Sequence, residues 1–127
     1  MTRSDSDRLA DILGAIDAIS VYTTPNGLRP GVTFDAVRMR LVEIGEAVGG
    51  ITTDLLEQEP DIPWRQIKGM RNFLAHQYFD SLFGEVETVL DHDLAPLRAA
   101  VLRLQAALTP HQPATQDDAT NTAGTRS

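Results

Sequence analysis

The chain has 127 residues, a formal net charge of −7 and no cysteine. A length of this order implies one domain with a core of modest size, and the lack of cysteine excludes a disulfide-built secreted domain and a thiolate metal site. Ten arginines and one lysine stand against eighteen acids, so the molecule as a whole repels bulk nucleic acid, and any RNA contact has to be local. The opening residues, Met1 to Asp7, are polar and acidic, unlike a signal peptide. No apolar run approaches the length that crosses a bilayer, and the expected location is the cytoplasm.

Residues 4 to 22 read as a first helix. Ser4, Asp5, Ser6 and Asp7 offer caps and acids suited to the positive end of a helix dipole. Leu9, Ile12, Leu13, Ile16 and Ile19 form a helical apolar stripe. Thr23 to Gly31, with Pro25, Asn26, Gly27 and Pro30, reads as a loop. Thr33 is the expected cap of a second helix, with Val32 and Val37 as a hydrophobic staple. Phe34, Val37, Leu41, Ile44 and Val48 then follow the spacing of a packed helix seam, and Gly49 and Gly50 stop it. Inside this helix Gly45 permits close approach by another helix. Glu46 beside it is either a solvated acid or the partner of an arginine.

Thr53 to Glu59 reads as a short helix ended by Pro60. A further helix begins at Pro63, whose missing N–H costs nothing at a first helical position, with Ile67, Met70 and Leu74 on one stripe. Asp80 to Gly84 reads as a turn. Glu85 to Leu108 reads as a last helix, with Val86, Leu90, Leu94, Leu97, Val101, Leu104 and Leu108 on one side and Pro96 kinking or splitting it. From Thr109 onward no Val, Ile, Leu, Met or aromatic residue occurs, and residues 109–127 are expected to be a disordered tail. No strand pattern appears. The expectation is an all-α, up-and-down bundle of four main helices plus a short one, occupying residues 1–108.

Ile62 to Phe79 is a run of 18 residues without an acid, bounded by Asp61 and Asp80. It gathers Trp64, Arg65, Lys68, Arg71, His76 and Tyr78 in an acidic protein, which marks it as the candidate site. Cleavage of RNA by its own 2′-hydroxyl needs neither a metal nor an enzyme nucleophile. It needs an acid or base near neutrality, which histidine supplies, and a cation for the crowded phosphate, which the planar arginine fork supplies. Arg71 and His76 are a minimal pair of this kind, and Asn72, four residues before His76, can bond it and set its tautomer. Arg71 and His76 lie five residues apart, roughly 140° around a straight helix. Either the helix ends or bends near His76, or a second copy of the chain completes the site. Asp91, His92 and Asp93 point in different directions on a helix and read as a solvated face rather than a metal site. His111 falls in the expected tail. Tyr22 reads as a partly buried packing residue and Trp64 as a core or interface residue.

Ile44 to Ala47 (I-G-E-A), Pro60 to Asn72 (P-D-I-P-W-R-Q-I-K-G-M-R-N), His76 to Phe79 (H-Q-Y-F) and Asp93 to Leu97 (D-L-A-P-L) together resemble the HepT-like proteins of the HEPN superfamily. The resemblance covers nearly all of residues 7 to 105. It implies a helical bundle that pairs into a homodimer and acts as the toxin of a type VII HEPN/MNT toxin–antitoxin system. The implied activity is that of a metal-independent RNA endonuclease with no cofactor, the Arg and His of both subunits facing one cleft at the dimer interface. The implied antitoxin is an MntA-like nucleotidyltransferase that transfers AMP from ATP to the motif tyrosine. Carried onto this chain, Arg71 stabilises the phosphate, His76 acts as acid or base, Asn72 supports it, and Tyr78 is the AMPylation acceptor. The chain departs from the family at Asp80 to Glu87, D-S-L-F-G-E-V-E, where an apolar and often tryptophan-bearing segment is usual, and in a one-residue displacement of the proline near Leu94. A non-catalytic helical module that holds a nucleotide or a partner in the same cleft is the alternative expectation.

Overall fold

The computed structural model describes residues 3–75 and 79–108, with the side chains of all of these except 79–81. Six helices and no strand occur among the described residues: α1 (Asp5–Thr23), α2 (Val32–Gly50), α3 (Thr53–Leu56), α4 (Trp64–Ala75), α5 (Phe79–His92) and α6 (Leu94–Leu108). None is long and apolar enough to cross a membrane. The expected tail, 109–127, lies outside the described residues.

Helix α1 starts where its capping chemistry predicts. Ser4 Oγ accepts from the Asp7 N–H at 3.0 Å and Asp7 Oδ2 accepts from the Ser4 N–H at 3.2 Å, a reciprocal capping box. The exchange draws the Asp7 carboxyl below its ordinary range, because Ser4 bonds its charged form. Leu9, Ile12, Ile16 and Ile19 are buried, and Leu13 packs beside them half-buried.

Helix α2 carries the predicted seam inward: Phe34, Val37, Leu41, Ile44 and Val48 are all buried. Its start differs from expectation. The N-cap is Gly31, not Thr33, and Val32 is 84% exposed rather than stapled to Val37. Gly31 sits at φ +92°, a conformation glycine adopts without penalty, and its carbonyl takes the Asp35 N–H at 3.0 Å. The helix then runs through both glycines, to Gly50. A side chain at Gly50 would collide with the Arg8 guanidinium, which lies over the end of α2.

Helix α1 packs on α2 and α6, α2 on α4, and α5 on α6. Each fully buried Leu or Ile in this core contributes about 1.5–3 kcal/mol by leaving water, and no polar or charged residue among the described ones is buried with them.

The second half departs further from expectation. Helix α3 is shorter than predicted, one turn that ends at Leu56. Pro63 stands just before α4, where its carbonyl accepts the Ile67 N–H at 3.0 Å. Asp80 to Gly84 is not a turn but the opening of α5. Its turn-forming residues are overruled by burial: Leu82 and Val86 are four apart and enclosed, and the Phe83 ring stacks on Phe34 at 5.6 Å. The predicted last helix is split, as Pro96 allows. Asp93 separates α5 from α6, because Pro96 has no N–H for the His92 carbonyl and its ring crowds that carbonyl. Leu94, Leu97, Val101 and Leu104 are buried as expected, whereas Leu108 is exposed.

Candidate functional site

Helix α4 carries the candidate residues Arg71 and Asn72, and α2 fixes where it lies. Ile67 and Leu74 bury its inner stripe and Met70 packs beside them. Trp64, half-buried, pins the first turn by donating Nε1–H to the Glu59 carbonyl at 2.9 Å. Glu59 is in turn held by Arg103 of α6 through two bonds of 2.9 and 2.8 Å. The Arg103 guanidinium keeps the Glu59 carboxyl below its usual range.

The contact with α2 is close to backbone on backbone. A Cβ built on Gly45 would stand 2.9 Å from the Ile67 carbonyl oxygen, 3.2 Å from the Arg71 nitrogen and 3.5 Å from the Lys68 carbonyl oxygen. Only glycine lets the helices meet at this distance. One residue on, Glu46 Oε2 accepts from Arg71 Nε at 3.0 Å. Of the two sequence readings of Glu46, the structure selects the arginine partner. A Cβ built on Gly49 would stand 3.6 Å from the stem of Lys68. Toward the other end of α4, Arg38 Nε of α2 donates to the Leu74 carbonyl at 2.8 Å. That carbonyl belongs to the last turn, whose acceptors lack partners within the helix. Arg38 thereby holds the end of the helix immediately before His76. Arg38 has no local signal in the sequence, because its partner lies 36 residues along the chain.

Arg65, Lys68, Arg71 and Asn72 are all exposed on α4. Arg71 has a side chain 57% exposed, so its guanidinium can meet a ligand from solvent while Glu46 holds it. His76 and Tyr78 lie outside the described residues, between α4 and α5. Asp91, His92 and Asp93 are exposed, in keeping with a solvated face. Among the described residues no cluster of three or more possible metal ligands occurs.

Hollows border this helix, and a further cleft lies between α1 and α2. A cavity of about 480 Å³ at its end is lined by Asp35, Arg38, Met39, Val42, Leu74 and Ala75. A groove of about 400 Å³ between α4 and α5 is lined mainly by apolar groups, including Met70, Phe73, Val86 and Val89, with Phe73 40% exposed. Glu46 also borders an open cleft of about 760 Å³ between α1 and α2. That cleft balances Arg3, Arg8 and Arg40 against Asp11, Glu43 and Glu46, with Arg3 paired to Asp11 and Arg40 to Glu43 at 2.8 Å each. On α4, by contrast, Arg65, Lys68 and Arg71 recur every third residue and are all exposed.

Comparison with known proteins places the chain. Residues 12–104 match the family described as "Ribonuclease HepT-like". A protein of Thermococcus cleftensis named "Probable ribonuclease HepT" is 40% identical over 83 residues, which are 62% of this chain and 76% of that one. Two Methanocaldococcus jannaschii proteins named "Putative RNase MJ0125" and "Putative RNase MJ1216" are 36% and 37% identical over 75 residues, 56% of this chain in each case and 65% and 62% of theirs. No solved structure matches. With the family matched over residues 12–104, from α1 to α6, the chain belongs to the ribonuclease HepT-like family of the HEPN superfamily.

Proposed function

We propose that the protein is an RNA endonuclease and the toxin of a type VII HEPN/MNT toxin–antitoxin pair. The observation that carries this reading is Arg71, exposed on α4, fastened from behind by Glu46 and preceding His76 by five residues in a ribonuclease family. In the proposed reaction the RNA 2′-hydroxyl attacks its own phosphate. His76 moves the proton, and Arg71 takes the charge that builds on the phosphate oxygens. Asn72 supports His76. The chemistry requires no metal.

The active unit in this reading is a homodimer with the Arg71 and His76 of both subunits facing one cleft. The groove between α4 and α5, with Phe73 exposed beside the motif, supports it as an apolar surface available to a second subunit. An MntA-like nucleotidyltransferase silences the toxin by transferring AMP from ATP onto Tyr78. A phosphate and a base added there compete for Arg71 by charge and for the cleft by volume.

Co-expression with the cognate nucleotidyltransferase, intact mass and an RNA cleavage assay test the scheme together. An AMP-sized increment that maps to Tyr78, disappears in Tyr78→Phe and stops cleavage is the expected result. An increment on the Phe variant would move the acceptor elsewhere. A folded dimer with neither increment nor cleavage would leave a nucleotide- or partner-binding module.

A further inference from the structure

The Glu46–Arg71 pair poses a question of purpose. Both side chains are more than half exposed, and exposed ion pairs contribute little to stability. A carboxylate beside the arginine also opposes the approach of a phosphate. Yet Gly45 lets α2 bear directly on the backbone of Ile67, Lys68 and Arg71, so the register that delivers Glu46 to Arg71 is built into the helix contact. Among the described residues the bond uses Nε of Arg71 alone. The guanidinium is a rigid plane with five N–H donors. Anchoring it at Nε orients the edge formed by its two terminal nitrogens, the edge that matches two phosphate oxygens.

We propose that Glu46 is a positioning residue: it holds Arg71 by Nε so that the terminal nitrogens are aimed at the RNA phosphate, and it does so at a cost in RNA affinity. The proposal rests on the ribonuclease reading given above. The two effects of Glu46 separate, because orientation needs a hydrogen-bond acceptor whereas the affinity cost comes from its charge. Removing both should lower kcat and also lower KM. Restoring only the acceptor should recover kcat while KM stays low.

Cleavage kinetics of wild type, Glu46→Ala and Glu46→Gln on one short RNA read this directly. Glu46→Ala is expected to lose on the order of tenfold to a hundredfold in kcat, the scale of a misplaced catalytic group. Its KM should fall about twofold or more as the like charge leaves. Glu46→Gln should recover most of the lost kcat at the same reduced KM, with the melting temperature of both variants close to wild type. An unchanged kcat in Glu46→Ala, or an equal loss in Glu46→Gln, overturns the proposal. A second readout needs no activity: the Nε–H resonance of Arg71 in protein labelled with nitrogen-15 arginine. It should be protected from exchange in wild type and in Glu46→Gln and lose that protection in Glu46→Ala. A signal indifferent to Glu46→Ala overturns the positioning role whether or not RNA is cut. A wild type that cuts no RNA, with the signal behaving as expected, removes the ribonuclease reading and with it the kinetic part of the proposal.

Discussion

Helix α2 meets two neighbours by different means. Toward α1 it presents part of an apolar core, to which α1 contributes Leu9, Ile12, Ile16 and Ile19. Toward α4 it presents Gly45 against main chain, Glu46 to Arg71 and Arg38 to the Leu74 carbonyl. Apolar burial is strong and non-directional, so the first contact holds the fold without setting any one side chain to fine tolerance. Hydrogen bonds and a backbone touch are weak in sum and strict in geometry, so the second contact sets where Arg71 and the end of α4 stand. Stability and site geometry are thus carried by different sets of residues on one helix.

Substitutions on the two faces should come apart accordingly. The largest effect on stability is expected from Ile12→Ala, about 2–5 kcal/mol for a fully buried Ile, read by denaturant unfolding. The cleavage rate of the folded fraction should not change, and a parallel loss of rate would break the comparison. Gly45→Ala is expected to cost less, because overpacking of about 1–3 kcal/mol is offset by up to about 1 kcal/mol of helix propensity. Its effect on cleavage should exceed its effect on stability, since the new methyl pushes on the backbone of Arg71. Gly14→Ala is the control: nothing lies within 4 Å of its Cβ, and the same propensity should stabilise it by up to about 1 kcal/mol. Arg38→Ala comes next, at about 1 kcal/mol for one lost hydrogen bond. It is expected to loosen the end of α4, visible as faster amide exchange there.

The smallest effect is that of mild acid. The Asp7 and Glu59 carboxyls are both held below their ordinary range, by Ser4 and by Arg103 respectively. A depressed carboxylate contributes stability above its unfolded pKa that is lost as pH falls through the folded value. A shallow decline in melting temperature below the usual carboxylate range is expected, reduced by Ser4→Ala and by Arg103→Ala. A decline of the same size in both variants would assign it to other groups.

The core was legible in the sequence and the clamp was legible in part. The stripes of α1 and α2 follow from spacing because burial repeats with the helical period, and every predicted seam residue of α2 is enclosed. Gly45 and Glu46 stood out as a pair, yet nothing in the sequence said which arginine Glu46 would meet. Asp80 to Gly84 misled because Asp, Ser and Gly favour turns locally. The burial of Leu82 and the Phe83–Phe34 stack, which decide for helix, depend on residues far along the chain. Thr33 misled in the same manner, for its capping hydroxyl lost to Gly31, whose positive φ turns the chain into the helix two residues earlier than a cap at Thr33 would. Of the candidate residues, Arg71 and Asn72 stand where helix spacing puts them on α4, while His76 and Tyr78 lie outside the described residues.

The most direct measurement is RNA cleavage by purified wild type, Arg71→Ala and His76→Ala in the presence of a chelator. The predicted result is cleavage by wild type that leaves 2′,3′-cyclic phosphate ends, with neither variant cutting although both keep their helical content. Cleavage that survives in either variant, or that vanishes from wild type when divalent metal is removed, would contradict the Arg71–His76 mechanism.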